Sequence, residues 1–169
     1  LQTPRGNKLV YIGPSPNQAQ SKNIVFKDNG YQDDGEAPYL GLHMHNAKEV
    51  LVDRDTFRLH TTEAQVFISQ SDLITIQGHS DYIDMELAED QRGIYARNTS
   101  GLQVFDYYMT VPNSQPPVAE TGIYMKEVQG HTNQNSIIQN SEIYRCRNGI
   151  EYYNQKDNPT LTEIDHNSI

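Results

Sequence analysis

Two histidines one residue apart, His43-Met44-His45, form the most pointed chemical motif of the chain. On a strand, positions i and i+2 share a face, so both imidazoles would point one way, with Leu42 and Met44 opposite. Three copies around a threefold axis would present six imidazoles, enough for an octahedral transition metal. His43 and His45 are therefore the candidate metal ligands. The alternative is a pair of surface histidines on a half-buried strand. The second motif is acidic: Asp81, Asp84, Glu86, Glu89 and Asp90. If Tyr82–Leu87 is a strand, Asp84 and Glu86 line one face. They are the candidate catalytic pair, since glycoside hydrolysis uses two carboxyl groups several ångströms apart. A solvated acidic face is the alternative, and it applies equally to Asp53 and Asp55, which flank Arg54.

Other chemistry is less well served. His79-Ser80-Asp81 are adjacent in sequence, but the members of a nucleophilic triad are brought together by folding. Cys146 lies between Arg145 and Arg147, whose charges would lower a thiol pKa, although an interior position suits a lone cysteine equally. Gly13-Pro14-Ser15 lacks the lysine and the following helix of a phosphate loop. No cofactor is evident from the residues. The sequon Asn98-Thr99-Ser100 would be incidental in a protein folded in the cytosol.

The elements that must position these residues are short. Alternating or apolar runs cover Lys8–Ile12, Asn23–Phe26, Tyr39–Met44, Glu49–Val52, Thr56–His60, Gln65–Ile68, Leu73–Ile76, Tyr82–Leu87, Ile94–Ala96 and Leu102–Val111. Turn signals such as Gly13-Pro14, Asp28-Asn29-Gly30 and Asp33-Asp34-Gly35 separate them. Strands at this spacing indicate an all-β domain. The best short helix candidate is Asp84–Asp90, although the alternation of Ile83, Met85 and Leu87 also fits a strand. The triplet Gly-Ile-Tyr occurs at Gly93–Tyr95 and Gly122–Tyr124, with a relaxed copy at Gly149-Ile150-Glu151-Tyr152. A glycine, a β-branched residue and an aromatic recurring at this period mark stacked repeats. Such β-helix-like rungs bury their apolar faces only by stacking. Ile137, Ile143, Ile150 and Ile164 are expected inside. Prolines at 112, 116 and 117 place a soft boundary between an irregular β region, 1–111, and the rungs of 118–169, although the whole can be one domain. The tyrosines at 107, 108, 124, 144, 152 and 153 would form interior ladders or, if exposed, platforms for sugar rings.

Composition narrows the function. Only 36% of the 169 residues are hydrophobic, Trp is absent, and Asn and Gln number 14 each. A single chain of this kind would have a thin core, which favours burial between subunits. A net charge of −9 disfavours nucleic-acid partners, because phosphate neutralisation needs clustered Lys and Arg. No apolar run is long enough for a membrane span. The lone cysteine fits a reducing cytosol. Opening on Leu1 rather than Met, without a signal peptide, the chain reads as a fragment or processed product.

Short β rungs, Asn/Gly corners, acidic charge and a thin single-chain core together resemble bacteriophage tail spikes. So do the strings Gly93-Ile-Tyr-Ala-Arg-Asn-Thr-Ser-Gly101 and Tyr39-Leu-Gly-Leu-His-Met-His45. The His-X-His pair is similar to those of some phage tail-fibre tips. Within this group, size and start resemble the C-terminal domains of podophage pre-neck appendage proteins. That resemblance implies an intramolecular chaperone on a parent spike chain, which promotes homotrimer formation, is released by self-cleavage and leaves in an ATP-dependent step. It places the chain in a virion appendage, or in the host cytoplasm during assembly. The chain departs from the endosialidase-type chaperone in lacking a long C-terminal coiled-coil helix and a serine–lysine dyad, so no cleavage residue is carried over. The alternatives are a mature domain binding a cell-surface polysaccharide and a carbohydrate-active β-helix enzyme. The expected fold is an all-β domain with β-helix-like rungs, intertwined as a homotrimer.

Overall fold

The computed structural model describes residues 8–14, 19–32, 40–59, 61–82, 91–110, 119–127, 135–144, 146–154 and 162–165. Among the described residues, seventeen strands wind into a parallel β-solenoid with three faces. Sheet A contains β1 (Lys8–Ile12), β4 (Leu40–His45), β7 (Ala64–Ser69), β10 (Arg92–Arg97), β13 (Ala119–Glu127) and β16 (Cys146–Asn154). Sheet B contains β2 (Ser21–Lys27), β5 (Ala47–Asp53), β8 (Asp72–Gln77), β11 (Gln103–Phe105), β14 (Ser136–Gln139) and β17 (Thr162–Asp165). Sheet C contains β3 (Gly30–Gln32), β6 (Thr56–Arg58), β9 (Ser80–Tyr82), β12 (Tyr108–Thr110) and β15 (Glu142–Ile143). One strand from each sheet makes a rung; five rungs have all three, and among the described residues the sixth has β16 and β17. All three sheets have strands on both sides of residues 111–118, and β10 pairs with β13. Among the described residues there is no helix.

Columns of like residues fill the interior, because parallel pairing in register stacks equivalent positions. Leu42, Val66, Ile94, Ile123 and Ile150 form one column of sheet A. Val52, Ile76, Val104 and Ile138 form one of sheet B. The first four members of each column are buried, as is Ile143 of sheet C, while Ile150 is partly buried against the core. Ile137, expected inside, points outward, and Ile138 takes the core slot. Asn135, left-handed with φ 55°, immediately precedes β14 and resets the alternation there. Ile164 pairs with Ile138 in the backbone register.

The corners explain the composition. Among the described residues, eleven non-glycine residues have positive φ, and five of them are Asn. They stack in columns. Asp28, Arg54, Gly78, Asp106 and Asn140 turn the chain from sheet B to sheet C, each as the first of two connecting residues. Asn46, Gln70 and Asn98 turn it from sheet A to sheet B. Asn and Asp tolerate this region better than other side-chain-bearing residues, so the solenoid consumes them.

The Gly-Ile-Tyr triplets lie within strands β10 and β13 of sheet A. A Cβ on Gly93 would meet the Tyr107 hydroxyl, the Gly122 carbonyl oxygen at 2.7 Å and Met109 Sδ at 2.9 Å. A Cβ on Gly122 would meet Ile143 and the Gly149 carbonyl oxygen at 2.6 Å. Glycine therefore sits where backbone of the next rung and a sheet-C side chain converge. The Ile then enters the core, and the Tyr stands outside. Gly41-Leu42-His43 and Gln65-Val66-Phe67 occupy the same register without the same letters.

Candidate functional site on the outer face of sheet A

The connections locate the face that varies. Between sheets B and C the link is two residues in every rung: 28–29, 54–55, 78–79, 106–107 and 140–141. The links into and out of sheet A differ from rung to rung. The link from sheet C to sheet A comprises 59–63 in one rung, 83–91 in the next and 144–145 later. The link from sheet A to sheet B is Asn46 alone, then 70–71, then 98–102. In repeat proteins, insertions of this kind gather on the working face.

Three columns stand on the outside of sheet A. The first is Leu40, Ala64, Arg92, Thr121 and Asn148. The second is aromatic: Tyr11, His43, Phe67, Tyr95 and Tyr124, closed by Glu151. Successive ring centroids lie 5.2, 4.9, 4.8 and 5.1 Å apart, all edge-on or tilted. The rings stack along the solenoid axis and cover one another, so the inner members His43 and Tyr95 are 8% and 9% exposed. The third column is His45, Ser69, Arg97, Lys126 and Tyr153.

His43 and His45 do share a face, as their spacing requires. Both contact the Ser69 hydroxyl, His45 through Nδ1 at 2.9 Å and His43 through Nε2 at 3.4 Å. Their ring centroids are 6.1 Å apart. His43 lies between Tyr11 and Phe67. Burial there, reinforced by the positive charges of Lys8 and His45, pushes its pKa down to about 4. His45 is the more accessible of the two. Among the described residues, no group of three or more His, Cys, Asp or Glu side chains is placed to hold a metal.

At the far end of the ring column, the Arg92 guanidinium lies over Tyr95 and Tyr124, 5.4 and 5.0 Å from their centroids. It also pairs with Glu120. Glu151 accepts from the Thr121 hydroxyl at 3.4 Å and from Asn148 Nδ2 at 3.3 Å. Burial, then the charge of Glu151, raises the pKa of Tyr124. Arg97 and Lys126 face each other in register on β10 and β13. Lys126 Nζ lies 5.6 Å from the centre of the Tyr153 ring, which is 44% exposed.

Other candidates fall elsewhere. Asp84, Glu86 and the rest of 83–90 lie outside the described residues. His79 and Asp81 are wholly buried in the solenoid interior, with His79 Nε2 2.8 Å from Asp81 Oδ1. The Tyr107 hydroxyl donates to Asp81 Oδ2 at 2.6 Å. Ser80, pointing the other way, takes no part, so the adjacency at 79–81 makes a core polar network. Asp55 is equally buried and accepts from the Asn29 backbone N–H and side-chain amide at 2.9 and 3.0 Å. Asp53 accepts from Gln77 and pairs with Lys27 and Arg54 on the flank of sheet B. Burial pushes the Cys146 thiol up to about 12, and its sulfur packs 3.7 Å from Met109 Sδ. That is the opposite of nucleophile activation. A shallow depression of about 360 Å³ over sheet C is lined by Gly30, Tyr31, Gln32, Thr56 and Arg58.

The basic column was missed in the reading of the sequence, yet its signal is there. Aligning the triplets extends them to Gly-Ile-Tyr-Ala-Arg97, Gly-Ile-Tyr-Met-Lys126 and Gly-Ile-Glu-Tyr-Tyr153. The fifth position of each is the third outer column.

No family model matches the chain, and neither a curated protein nor a solved structure does.

Proposed function

We propose that the chain is an assembly module of a larger, trimeric, spike-like appendage, without substrate turnover of its own. The observation that carries this reading is the state of the first rung. Val10, Ile24, Phe26 and Tyr31 occupy the same columns as Leu42, Val50, Val52 and Phe57, which are wholly or almost wholly buried. In the first rung these side chains are only half-buried. Leu9, Tyr11 and Val25 on the same rung are 46%, 49% and 61% exposed. A solenoid core open at one end is completed by another stacked surface. The parent spike chain would supply it. Val25 is paired with Leu51 on the outer face of sheet B, and Leu73 on the same sheet is also exposed. This apolar flank is where neighbouring copies of a homotrimer would meet. Sedimentation of the chain and of its Val25→Lys variant tests the reading. A trimer weakened by the substitution is expected. A monomer at every concentration removes the assembly role.

One observation favours a second reading, a mature domain that binds a cell-surface polysaccharide. The variable connections gather at sheet A, whose outer face carries rings, cations and hydrogen-bonding groups in register. Rigid scaffolds edged by variable segments are the usual seat of binding.

A further inference from the structure

We propose that the third outer column of sheet A is a binding track for an anionic glycan, a carboxylated sugar chain, held by Arg97 and Lys126 with Tyr153 beside them. This deepens the second reading above by naming the ligand class and the residues.

The charges state the problem that a ligand would solve. Neighbouring strands lie about 4.8 Å apart, so Arg97 and Lys126, directly in register, stand as close as two strand residues can. Like charges so placed destabilise a sheet. Three of the described cations are ion-paired: Lys27 and Arg54 with Asp53, Arg54 also with Asp28, and Arg92 with Glu120. Among the described residues, no carboxylate lies within ion-pair distance of Arg97 or Lys126. Of the two in-register cation pairs, Lys22 and Lys48 on sheet B have Asp72 next in their column, whereas Arg97 and Lys126 stand on the varying face in a column with no acidic member among the described residues.

The neighbours define the ligand. Arg97 is exposed and presents the planar fork that matches a carboxylate with two parallel hydrogen bonds. Lys126 adds a point charge beside the exposed Tyr153 ring, which offers the apolar surface that a sugar ring covers. Ser69 and His45 continue the column toward β4 with polar groups. An extended chain lying along the axis would meet one column member per rung. The sparse charge of a uronate-type glycan suits two cations. A nucleic acid carries a charge at every phosphate, needs more cations than two, and is repelled by the net charge.

Calorimetric titration of the native chain with a uronic-acid hexamer (an alginate oligomer) tests this, with cellohexaose and a single-stranded oligonucleotide as comparators. The Arg97→Gln/Lys126→Gln variant should bind the uronate at least about tenfold more weakly, and added salt should weaken the native complex. Lys22 and Lys48, a second pair of cations in register but on sheet B, provide the control: Lys22→Gln/Lys48→Gln should leave affinity unchanged. The proposal is overturned if the native chain does not bind the uronate, or if the Arg97/Lys126 variant binds it equally well. It is also overturned if the oligonucleotide binds more tightly, or if cellohexaose binds as tightly as the uronate. In the last case polysaccharide binding survives and only the anionic track is lost. None of these outcomes bears on the oligomeric state, so the assembly reading is judged separately.

Discussion

Gly93→Ala should be among the most damaging single-methyl additions in the chain. The new Cβ would lie 2.7 Å from the Gly122 carbonyl oxygen, 2.9 Å from Met109 Sδ, and against the Tyr107 hydroxyl. The carbonyl belongs to the next rung and is fixed by its ladder, so relief must come from displacing β10 or Tyr107. Overpacking of this kind costs about 1–3 kcal/mol. Moving Tyr107 also strains its 2.6 Å bond to buried Asp81, and leaving a buried hydrogen-bonding group unsatisfied costs about 1–3 kcal/mol. Alanine restricts the unfolded chain and returns about 0.4–1 kcal/mol. The net loss is about 1–5 kcal/mol. Urea unfolding followed by far-ultraviolet circular dichroism measures it. Gly30→Ala is the control, since nothing lies within 4 Å of its added Cβ. Tyr107→Phe removes the hydroxyl that the methyl meets, so Gly93→Ala should cost less in that background, with a coupling of about 0.5–3 kcal/mol. A loss below about 0.5 kcal/mol for Gly93→Ala, the range of ordinary surface changes, would refute the close packing at Gly93.

Ile138→Ala and Ile143→Ala should each cost about 2–5 kcal/mol and Ile137→Ala much less; equal losses at 137 and 138 in the same unfolding assay would contradict the register of β14. Because the pKa of His43 is depressed to about 4 in the folded chain, the unfolded chain binds its proton first as pH falls below about 6.5. Its contribution to stability is thus present above that pH and is lost between about 6.5 and 4. His43→Phe, which keeps the ring column, should flatten the pH dependence of stability over that window, and an unchanged profile would count against the enclosed imidazole. Cys146, its thiol pushed up to about 12, should react with iodoacetamide at neutral pH far more slowly than it does in urea, as timed by mass spectrometry. Equal rates would place the thiol outside the core.

The sequence showed the strands more readily than the way they join. β1 covers the run Lys8–Ile12 that alternation marks, whereas the run Leu102–Val111 divides into β11 and β12. The break is invisible because Asp106 turns in the left-handed region and Tyr107, the next residue, points inward, so an apolar pattern continues through a corner. The same device hid the phase of β14. The glycine triplet was legible where Gly, Ile and Tyr all recur. It was not legible at Gln65-Val66-Phe67 of β7, where a buried glutamine takes the glycine's place and donates to the Leu59 carbonyl at 2.6 Å. The shared face of His43 and His45 followed from spacing, but their partner Ser69 comes from the next rung, 24 and more residues away. Arg97 and Lys126 become neighbours only once the rungs are set in register.

The low apolar content was read as a core too thin for one chain, and the solenoid shows why that inference does not follow from composition. Each rung contributes only a few inward side chains, and every inner rung is covered by the rungs on either side. Val66, Ile94, Ile76 and Val104 reach full burial with no partner chain. The polar residues are spent on corners, where Asn and Asp stabilise left-handed backbone, and on outer faces. A partner chain is therefore not needed to make the core. That shifts the case for association from the whole chain to its first rung, where Val10, Ile24, Phe26 and Tyr31 lose the cover that the same columns enjoy one rung later. If association is driven there, protection of β1–β3 amides from hydrogen exchange should rise with protein concentration while that of β7–β9 stays constant. A uniform change across all rungs would mean that subunits contribute to the core throughout, as an intertwined assembly requires, and the first-rung account would be lost.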